Sequence, residues 1–229
     1  MSERPSSPHR RFFITLEGGD GSGKSTQARA LCRLLEDNGF AVCLTREPAG
    51  TALGALIKQT FERGTAAGTP ALSPQAELLF FAAARADHVR TVVRPALEAG
   101  KIVLCDRFTD STLAYQGYGR GLSLDEIGRW NRVATEGLTP DLTLLFDVPP
   151  EAGLARADAH GVEKGDSIGG EPLEFHRRVH EGYLALARQE PSRIVVIDGA
   201  RPSEEVTALA WQAMQPALGT LRLPSQPQG

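Results

Sequence analysis

The sequence contains little lysine, little cysteine and no long apolar run. Its 229 residues include four lysines, which are Lys24, Lys58, Lys101 and Lys164. The three cysteines have no paired spacing, which favours buried thiols in a reducing cytosol over disulfides or a zinc site. No apolar run approaches the length that spans a bilayer. We therefore expect a cytoplasmic protein without a membrane segment.

A strong excess of charge of either sign is also lacking. The formal net charge is -3 at pH 7, which gives no general attraction to nucleic acid or to anionic lipid. Any small anionic ligand must then be held by local charges. The length and the 41% apolar content predict one domain at 12–215 with its own core. The first residues, MSERPSSPHRR, lack the apolar segment of a secretory signal. We expect 1–11 and 216–229 to be flexible ends.

Five short apolar runs predict β-strands. They are Phe12–Glu17, Ala41–Thr45, Ile102–Asp106, Leu142–Asp147 and Ile194–Asp198. Near-continuous apolar runs of this length are typical of strands buried on both faces of a parallel sheet. Helical patterns lie between the runs, and two of them open with the N-cap candidates Ser73 and Ser123. The alternation predicts an α/β fold with a five-stranded parallel sheet and helices on both faces. The loops after the strands then share one edge of the sheet.

The stretch FITLEGGDGSGKST contains a phosphate-binding loop pattern. Its spacing, Gly18-x-x-x-x-Gly23-Lys24-Ser25, is that of Walker A, with a strand before it and a helix after it. Lys24 is expected to reach the β- and γ-phosphates, and Ser25 to bind Mg²⁺. The alternative is a glycine-rich turn that binds nothing, and both flanks argue against it. The predicted ATP-binding residues are Gly18, Gly19, Asp20, Gly21, Ser22, Gly23, Lys24, Ser25 and Thr26. The pattern predicts a P-loop NTPase fold, a three-layer sandwich.

The segment CDRFTDSTLAYQGYGRG, after the third strand, suggests what the phosphate is for. A GTPase should carry DxxG and NKxD motifs, and neither occurs in a suitable place. Instead Asp106 and Arg107 lie together at the sheet edge that faces the loop. Asp106 is expected to hold a Mg²⁺-bound water, and Arg107 to clamp a second phosphate group. The pair suits an enzyme that brings two anionic groups into line.

Five segments of the chain resemble successive motifs of the thymidylate kinase family. They are LEGGDGSGKSTQ, TREPAGT, ELLFFAAARADH, DRFTDSTLAYQGYGRG and PDLTLLFDVPPEAGL. The resemblance runs from about Phe12 to Asp198. It implies transfer of the γ-phosphate of Mg-ATP to thymidine 5′-monophosphate (dTMP) by a homodimer, with helices Pro74–Arg90 and Ser123–Gly137 as interface candidates. Two alternatives remain: a kinase of another pyrimidine monophosphate such as dUMP, and a nucleotide-binding protein without catalysis.

The resemblance also implies which residues bind the acceptor nucleotide. Phe81 would stack on thymine, and Arg85, one helical turn later, would bond the base edge. Thr112 would contact the pyrimidine, Tyr115 the sugar, and Asp20 both sugar and phosphate. From the residues alone, Phe81 has core packing as its alternative, Arg85 a solvated charge, and Asp20 a turn. The full implied set is Asp20, Arg46, Glu47, Phe81, Arg85, Arg107, Ser111, Thr112, Tyr115 and Gln116.

Arg46 and Glu47 end the second predicted strand. The resemblance implies that they face the acceptor and its metal. Their alternative is a loop ion pair, which contributes little to stability.

The predicted lid, at about 157–174, departs from the family pattern. A family lid usually carries an arginine beside an aspartate, whereas Ser167 follows Asp166 here. Eukaryotic members instead place an arginine inside the phosphate loop, where Gly21 stands. Lys164 is our candidate for the catalytic lid cation. The flanking arginines are the second alternative: Arg156, Arg177 and Arg178. The third is a slow enzyme without a lid cation.

Four histidines are a weak candidate for a metal site. They are His88, His160, His176 and His180. His176 and His180 are four residues apart, but no H-E-x-x-H pattern or third ligand accompanies them. We expect these histidines to be helix-surface residues.

Overall fold

A parallel sheet forms the centre of the part of the protein that the structure describes. The structure is a computed structural model and describes residues 12–66, 72–159 and 170–219. Its strands are β1 (Phe12–Glu17), β2 (Val42–Arg46), β3 (Ile102–Asp106), β4 (Leu142–Asp147) and β5 (Ile194–Asp198). They are all parallel, in the order β2-β3-β1-β4-β5. The predicted fold class is confirmed, with β2 shifted by one residue from its predicted bounds.

Helices fill the connections between the strands. They are α1 (Lys24–Asp37), α2 (Ala52–Ala66), α3 (Pro74–His88), α4 (Arg94–Glu98), α5 (Thr109–Thr112), α6 (Leu124–Thr135), α7 (Pro150–Ala159), α8 (Leu173–Gln189) and α9 (Ser203–Leu218). Ser73 and Ser123 cap α3 and α6 as predicted, accepting from the amides of Ala76 and Glu126. Among the described residues, none of the helices has the length and apolarity to cross a membrane.

The side chains of β1 alternate between two apolar layers, one on each face of the sheet. Ile14 and Leu16 pack with residues of α1 and α9, among them Leu31 and Met214. On the other face, Phe13 packs with residues that follow α3 and with β3. Both layers are needed because a parallel sheet buries its two faces. The central strand β1 therefore holds the phosphate loop in the middle of the carboxyl edge.

Two helical regions extend beyond the predictions: one continues past Arg90, where the predicted helix from Pro74 ends, and the other follows β3. A π-helical turn, Val89–Val93, continues α3 into α4, and a second, Leu113–Gly119, continues α5. The segment of the second turn looks non-helical because it contains two glycines. A Cβ at Gly117 or Gly119 would approach Leu124 to 2.5 Å or Phe175 to 2.6 Å. The glycines thus allow close packing of this segment against α6 and α8.

Several boundaries and surface assignments differ from the predictions. The last helix runs past the predicted domain end at 215, because Leu218 packs in the core. The surface assignment is wrong for His88 and His176, which are 0% and 5% exposed, while His180 is half-buried beside Asp147. Their helical spacing did not show which face is buried. His160, most of the predicted lid and the predicted flexible end at 1–11 lie outside the described residues, as does the part of the predicted flexible end at 216–229 that follows residue 219.

Candidate active site

The phosphate loop follows β1 and adopts a conformation that depends on glycine. Gly18, Gly21 and Gly23 have φ of 143°, 69° and 87°, in the region that L side chains rarely adopt. Lys24 Nζ donates to the carbonyl oxygens of Gly18 (2.9 Å) and Gly19 (2.7 Å) and to Ser22 Oγ (3.1 Å). Burial, and then the charge of Arg107, lowers the pKa of Lys24 to about 8. The lysine thus lies against the loop where a bound phosphate would supply new partners.

Ser25 and Asp106 meet at the start of α1. The Ser25 hydroxyl donates to Asp106 Oδ2 at 2.5 Å, across 81 residues of sequence. Two adjacent hard oxygen ligands suit Mg²⁺, which keeps several waters and shares substrate phosphates. Among the described residues, no group of three or more His, Cys, Asp or Glu side chains could hold a metal. A metal at this position would therefore depend on few protein ligands and on the nucleotide.

Arg107 connects the phosphate loop with a neighbouring cavity. One terminal nitrogen, Nη2, donates to Asp20 Oδ1 (2.6 Å) and to the Tyr115 hydroxyl (3.2 Å). The other, Nη1, donates to Gly18 O at 3.3 Å and to the hydroxyls of Ser111 and Tyr183, both at 3.4 Å. Burial alone would raise the pKa of Asp20, but the charges of Arg107 and Lys24 hold it below its ordinary value. The guanidinium is thus fixed beside the loop with an anion already in contact.

The cavity next to Arg107 has a volume of about 180 Å³, and its wall includes the aromatic side chains of Phe61, Phe81, Phe108 and Tyr115. Phe81 and Phe61 stack at 5.0 Å between ring centroids, with 3° between their planes. The lining residues are Asp20, Glu47, Pro48, Lys58, Phe61, Phe81, Arg85, Arg107, Phe108, Ser111, Thr112, Tyr115 and Gln116. The implied acceptor residues are therefore brought together, with the exception of Arg46. Their roles as ligands stay a prediction.

Arg85 belongs to a buried network on the cavity wall and is not a solvated charge. Its Nε donates to Glu47 Oε2 (2.9 Å), Nη1 to Asn131 Oδ1 (2.6 Å) and Nη2 to Phe108 O (3.0 Å). His88 Nδ1 lies 3.1 Å from the other Glu47 oxygen. The network fixes the guanidinium plane before any ligand arrives.

Two of the implied residues have surroundings that the sequence did not indicate. Arg46 is exposed and does not line the cavity, although its backbone pairs with that of Asp106 in the sheet. Gln116 is buried, and its amide nitrogen donates to Glu77 Oε1 at 2.6 Å. Glu77 also accepts from Arg120 at 3.0 Å. The side-chain amide nitrogen of Gln116 is thereby held by Glu77, which does not itself line the cavity.

Sequence reasoning missed several residues of this site. Phe61 lies one helical turn after Ile57, a spacing that by itself indicates only a core face. Lys58 carries no pattern, and Pro48 lies in the family-like segment TREPAGT but was not proposed as a site residue. Glu17 ends an otherwise apolar strand, and Tyr183 lies on a helix 76 residues beyond its contact Arg107. A polar residue in a buried strand was the available signal for Glu17.

Glu17 is fully buried and accepts three hydrogen bonds. Its Oε1 accepts from the Phe108 amide (2.7 Å), and its Oε2 from the hydroxyls of Ser111 (2.6 Å) and Tyr183 (3.0 Å). Burial, followed by the charge of Asp110, raises the pKa of Glu17 to about 7, against the opposing effect of these hydrogen bonds. The carboxyl group therefore titrates near neutral pH.

The buried Glu17 gives the free energy of unfolding a pH dependence of predictable sign. The folded protein keeps this proton up to about pH 7, whereas the unfolded chain releases it near pH 4.5. The contribution of Glu17 to the free energy of unfolding is therefore highest below pH 4.5. It falls by on the order of 3 kcal/mol as the pH rises through 7. We expect Glu17→Gln, which cannot titrate, to gain stability relative to the parent between about pH 5.5 and pH 8 in urea unfolding. A difference that does not vary with pH would contradict this assignment.

The residues proposed for the lid cation divide into two groups. Lys164 lies outside the described residues. The flanking arginines all have partners: Arg156 donates to Gly199 O (2.9 Å), Arg177 to Glu151 (2.7 Å), and Arg178 to Gly119 O (2.9 Å). Each of these arginines would have to break its present contacts before it could reach a bound nucleotide.

Comparisons with known proteins show the family to which the chain belongs. A family model described as Thymidylate kinase matches residues 16–210. The thymidylate kinase of Synechococcus sp. (strain JA-2-3B'a(2-13)) is 53% identical over 207 residues, covering 90% of this chain and 96% of that protein. The thymidylate kinase of Solidesulfovibrio magneticus is 47% identical over 205 residues, covering 87% and 97%. A crystal structure of thymidylate kinase from Ehrlichia chaffeensis is 35% identical, with a TM-score of 0.71, covering 89% of this chain and 98% of that chain. The predicted resemblance is confirmed, and the chain belongs to the thymidylate kinase family.

Proposed function

We propose that the protein transfers the γ-phosphate of ATP to dTMP, giving ADP and thymidine diphosphate (dTDP) for dTTP synthesis in the cytoplasm. The observation that carries this proposal is the position of Arg107. Its guanidinium contacts the phosphate loop at Gly18 O, and the residue also lines the cavity that contains Phe81. A nucleotide in that cavity would place its 5′-phosphate on this arginine, in front of the loop that holds ATP.

The chemistry requires little beyond positioning and positive charge. A nucleotide phosphate is already a nucleophile at neutral pH, so no general base is needed. Lys24 and Arg107 supply fixed cations on either side of the transferred group, where burial strengthens their effect. The phosphate of dTMP would replace Asp20 as the main partner of Arg107 Nη2, which leaves Asp20 for the sugar hydroxyl.

The cavity wall favours a single pyrimidine ring. A base stacked on Phe81 would extend the existing Phe61–Phe81 pair. Thr112, Gln116 and Arg85 provide polar groups at the rim of that stack. Because dUMP differs from dTMP by one methyl group, it is the closest competitor of dTMP for this cavity.

Mg²⁺ fits the pair formed by Ser25 and Asp106. These two residues would hold the ion, directly or through water, between the loop and the end of β3. When bound, the ion neutralises charge that develops on the β- and γ-phosphates.

The acceptor preference tests the proposed function. Full-length protein is incubated with Mg-ATP and, in turn, dTMP, dUMP and dGMP, and ADP formation is followed with time. We expect dTMP to give the highest kcat/KM and dGMP to give no detectable turnover. A preference for dUMP would mean that the acceptor is another pyrimidine monophosphate. A preference for dGMP would contradict the proposal that the cavity binds a pyrimidine.

We also propose that Lys164 supplies the lid cation. The three flanking arginines are already engaged with partners within the protein, and no other lysine occurs in the predicted lid. We expect Lys164→Ala to lower kcat by about 10²- to 10³-fold, since it removes a cation from the transition state. Arg156→Ala is the matched control and should keep kcat within about twofold of the parent. The reverse result would assign the cation to Arg156.

A homodimer is the proposed assembly. The helices α2, α3 and α6 pack side by side and expose large apolar side chains. These are Leu53, Leu56, Leu79, Phe80, Leu124, Trp130 and Val133, the last of them 70% exposed. An exposed apolar surface of this kind is typical of a protein–protein interface. In a dimer with twofold symmetry this apolar patch would contact the same patch on the second copy of the chain.

The dimer is testable by a charge placed in the patch. We expect Val133→Glu to convert the dimer to monomer at micromolar concentration, because a twofold axis buries two unpaired charges together. Sedimentation velocity measures the change. Val196→Glu is the matched control, since Val196 is 45% exposed on the edge strand β5, and it should leave the dimer intact. A monomeric parent protein would contradict the proposed assembly.

A further inference from the structure

Glu17 has no evident role in the proposed reaction, although its burial is costly. It is 0% exposed, it does not line the cavity, and it forms no ion pair with a described residue. An unpaired buried carboxylate disfavours folding unless hydrogen bonds compensate for its lost hydration. A leucine or valine would suit this strand position better for packing alone. The contacts of Glu17 indicate why a carboxylate stands there.

The first contact fixes the main chain of Arg107. Arg107 has a φ of 71°, in the left-handed region that a residue with a side chain rarely adopts. The amides on either side of this conformation are both tied to β1. The Arg107 amide donates to Leu16 O at 3.0 Å, and the Phe108 amide donates to Glu17 Oε1 at 2.7 Å. The carboxylate thus holds the turn that aims the arginine side chain.

The second contact orients two hydroxyl groups toward the guanidinium. Ser111 and Tyr183 donate to Glu17 Oε2 at 2.6 and 3.0 Å, and the oxygen of each lies 3.4 Å from Arg107 Nη1. A hydroxyl has one proton, so donation to Glu17 leaves its oxygen lone pairs for Arg107. Without the carboxylate, either hydroxyl could rotate its proton toward the guanidinium and repel it.

We propose that Glu17 is a positioning residue for the acceptor's phosphate. It holds the backbone of Arg107 through Phe108, and the guanidinium through Ser111 and Tyr183, without touching the acceptor itself. The proposal rests on the proposed function, in which Arg107 binds the phosphate of dTMP.

Glu17→Gln tests this role with a side chain of nearly the same shape. Glutamine has one acceptor oxygen, so its NH₂ group must face either the Phe108 amide or the two hydroxyls. At about pH 8, above the pKa of about 7 at which Glu17 loses its proton, we expect kcat/KM for dTMP to fall by about 10- to 100-fold, the effect of losing hydrogen bonds to a charged group. The KM for ATP should change by less than about twofold. Equal effects on both substrates would overturn the proposal.

A double-mutant cycle with Arg107→Ala separates positioning from a general structural role. If Glu17 acts through Arg107, then adding Glu17→Gln to Arg107→Ala should lower kcat/KM no further. Effects that multiply in the double variant would overturn the proposal. A parent protein that does not phosphorylate dTMP would instead overturn the proposed function, so the two failures are distinguishable.

A second variant and a control keep the test independent of folding problems. Tyr183→Phe removes one of the two linking hydroxyls and leaves the ring, and it should produce a smaller fall in the same parameter. Asp141 accepts from the Phe13 amide at 2.8 Å, at the other end of β1. Asp141→Asn should therefore leave kcat and both KM values unchanged. An unchanged kcat/KM for dTMP in Tyr183→Phe, or a fall in Asp141→Asn of the same size as in Glu17→Gln, would overturn the proposal.

Discussion

Replacing Arg107 with alanine is expected to lower kcat/KM for dTMP by about 10³-fold, with little change in the KM for ATP. Arg107 is the cation that contacts both the phosphate loop and the acceptor cavity. Its loss removes the fork that binds the acceptor's phosphate and part of the positive charge around the transferred group. The variant also leaves Asp20 without its 2.6 Å partner, an additional cost to the arrangement of the site.

Steady-state kinetics with each substrate varied in turn measures this effect. Arg107→Lys is the informative companion, because an ammonium keeps the charge but cannot form two parallel hydrogen bonds. It should recover only part of the lost kcat/KM. A loss below about tenfold in Arg107→Ala, or a loss shared equally with ATP, would show that another group binds the acceptor's phosphate.

The second large effect is expected at Lys24. In Lys24→Ala, kcat should fall by about 10³-fold, because the ammonium group that stabilises the β- and γ-phosphates in the transition state is removed. The side chain is buried and bonded to the loop carbonyls of Gly18 and Gly19, so it is already close to where the phosphates would lie.

Lys101→Ala is the control for this variant. Lys101 is an exposed lysine before β3, at the opposite end of that strand from Asp106, and its replacement should leave kcat unchanged. Thermal unfolding of the Lys24 variant should also be followed, since truncation leaves Gly18 O and Gly19 O without that donor. Retention of more than about a tenth of the parent's kcat in Lys24→Ala would contradict the role.

The parts of the fold that were predictable from sequence are those set by short-range patterns. The apolar runs of β1, β3, β4 and β5 matched the observed bounds, because each run is a short, mainly apolar segment that ends at an acidic residue. The phosphate loop was equally clear, since its glycines, lysine and serine lie within one short segment. The helical turn Leu113–Gly119 was missed because tertiary packing overrides the low helix propensity of its two glycines.

The candidate site was only partly predictable, because it joins distant segments. The cavity combines residues from α2, α3, the loop after β2 and the segment after β3, and spacing in the sequence does not show such meetings. In the sequence Phe61 is indistinguishable from an ordinary core residue, and only the structure shows that it stacks with Phe81. In the sequence Glu17 is only a polar residue at the end of a strand, and the structure shows its contacts with Phe108, Ser111 and Tyr183. The role of Lys164 stays a prediction from sequence.

The stoichiometry of phosphoryl transfer tests the central claim most directly. Full-length protein is supplied with Mg-ATP, with and without dTMP, and ADP and dTDP are quantified together by chromatography over time. We predict one dTDP for each ADP when dTMP is present, and almost no ADP when it is absent. ADP formation that does not depend on dTMP, or binding of both nucleotides without any dTDP, would contradict the account.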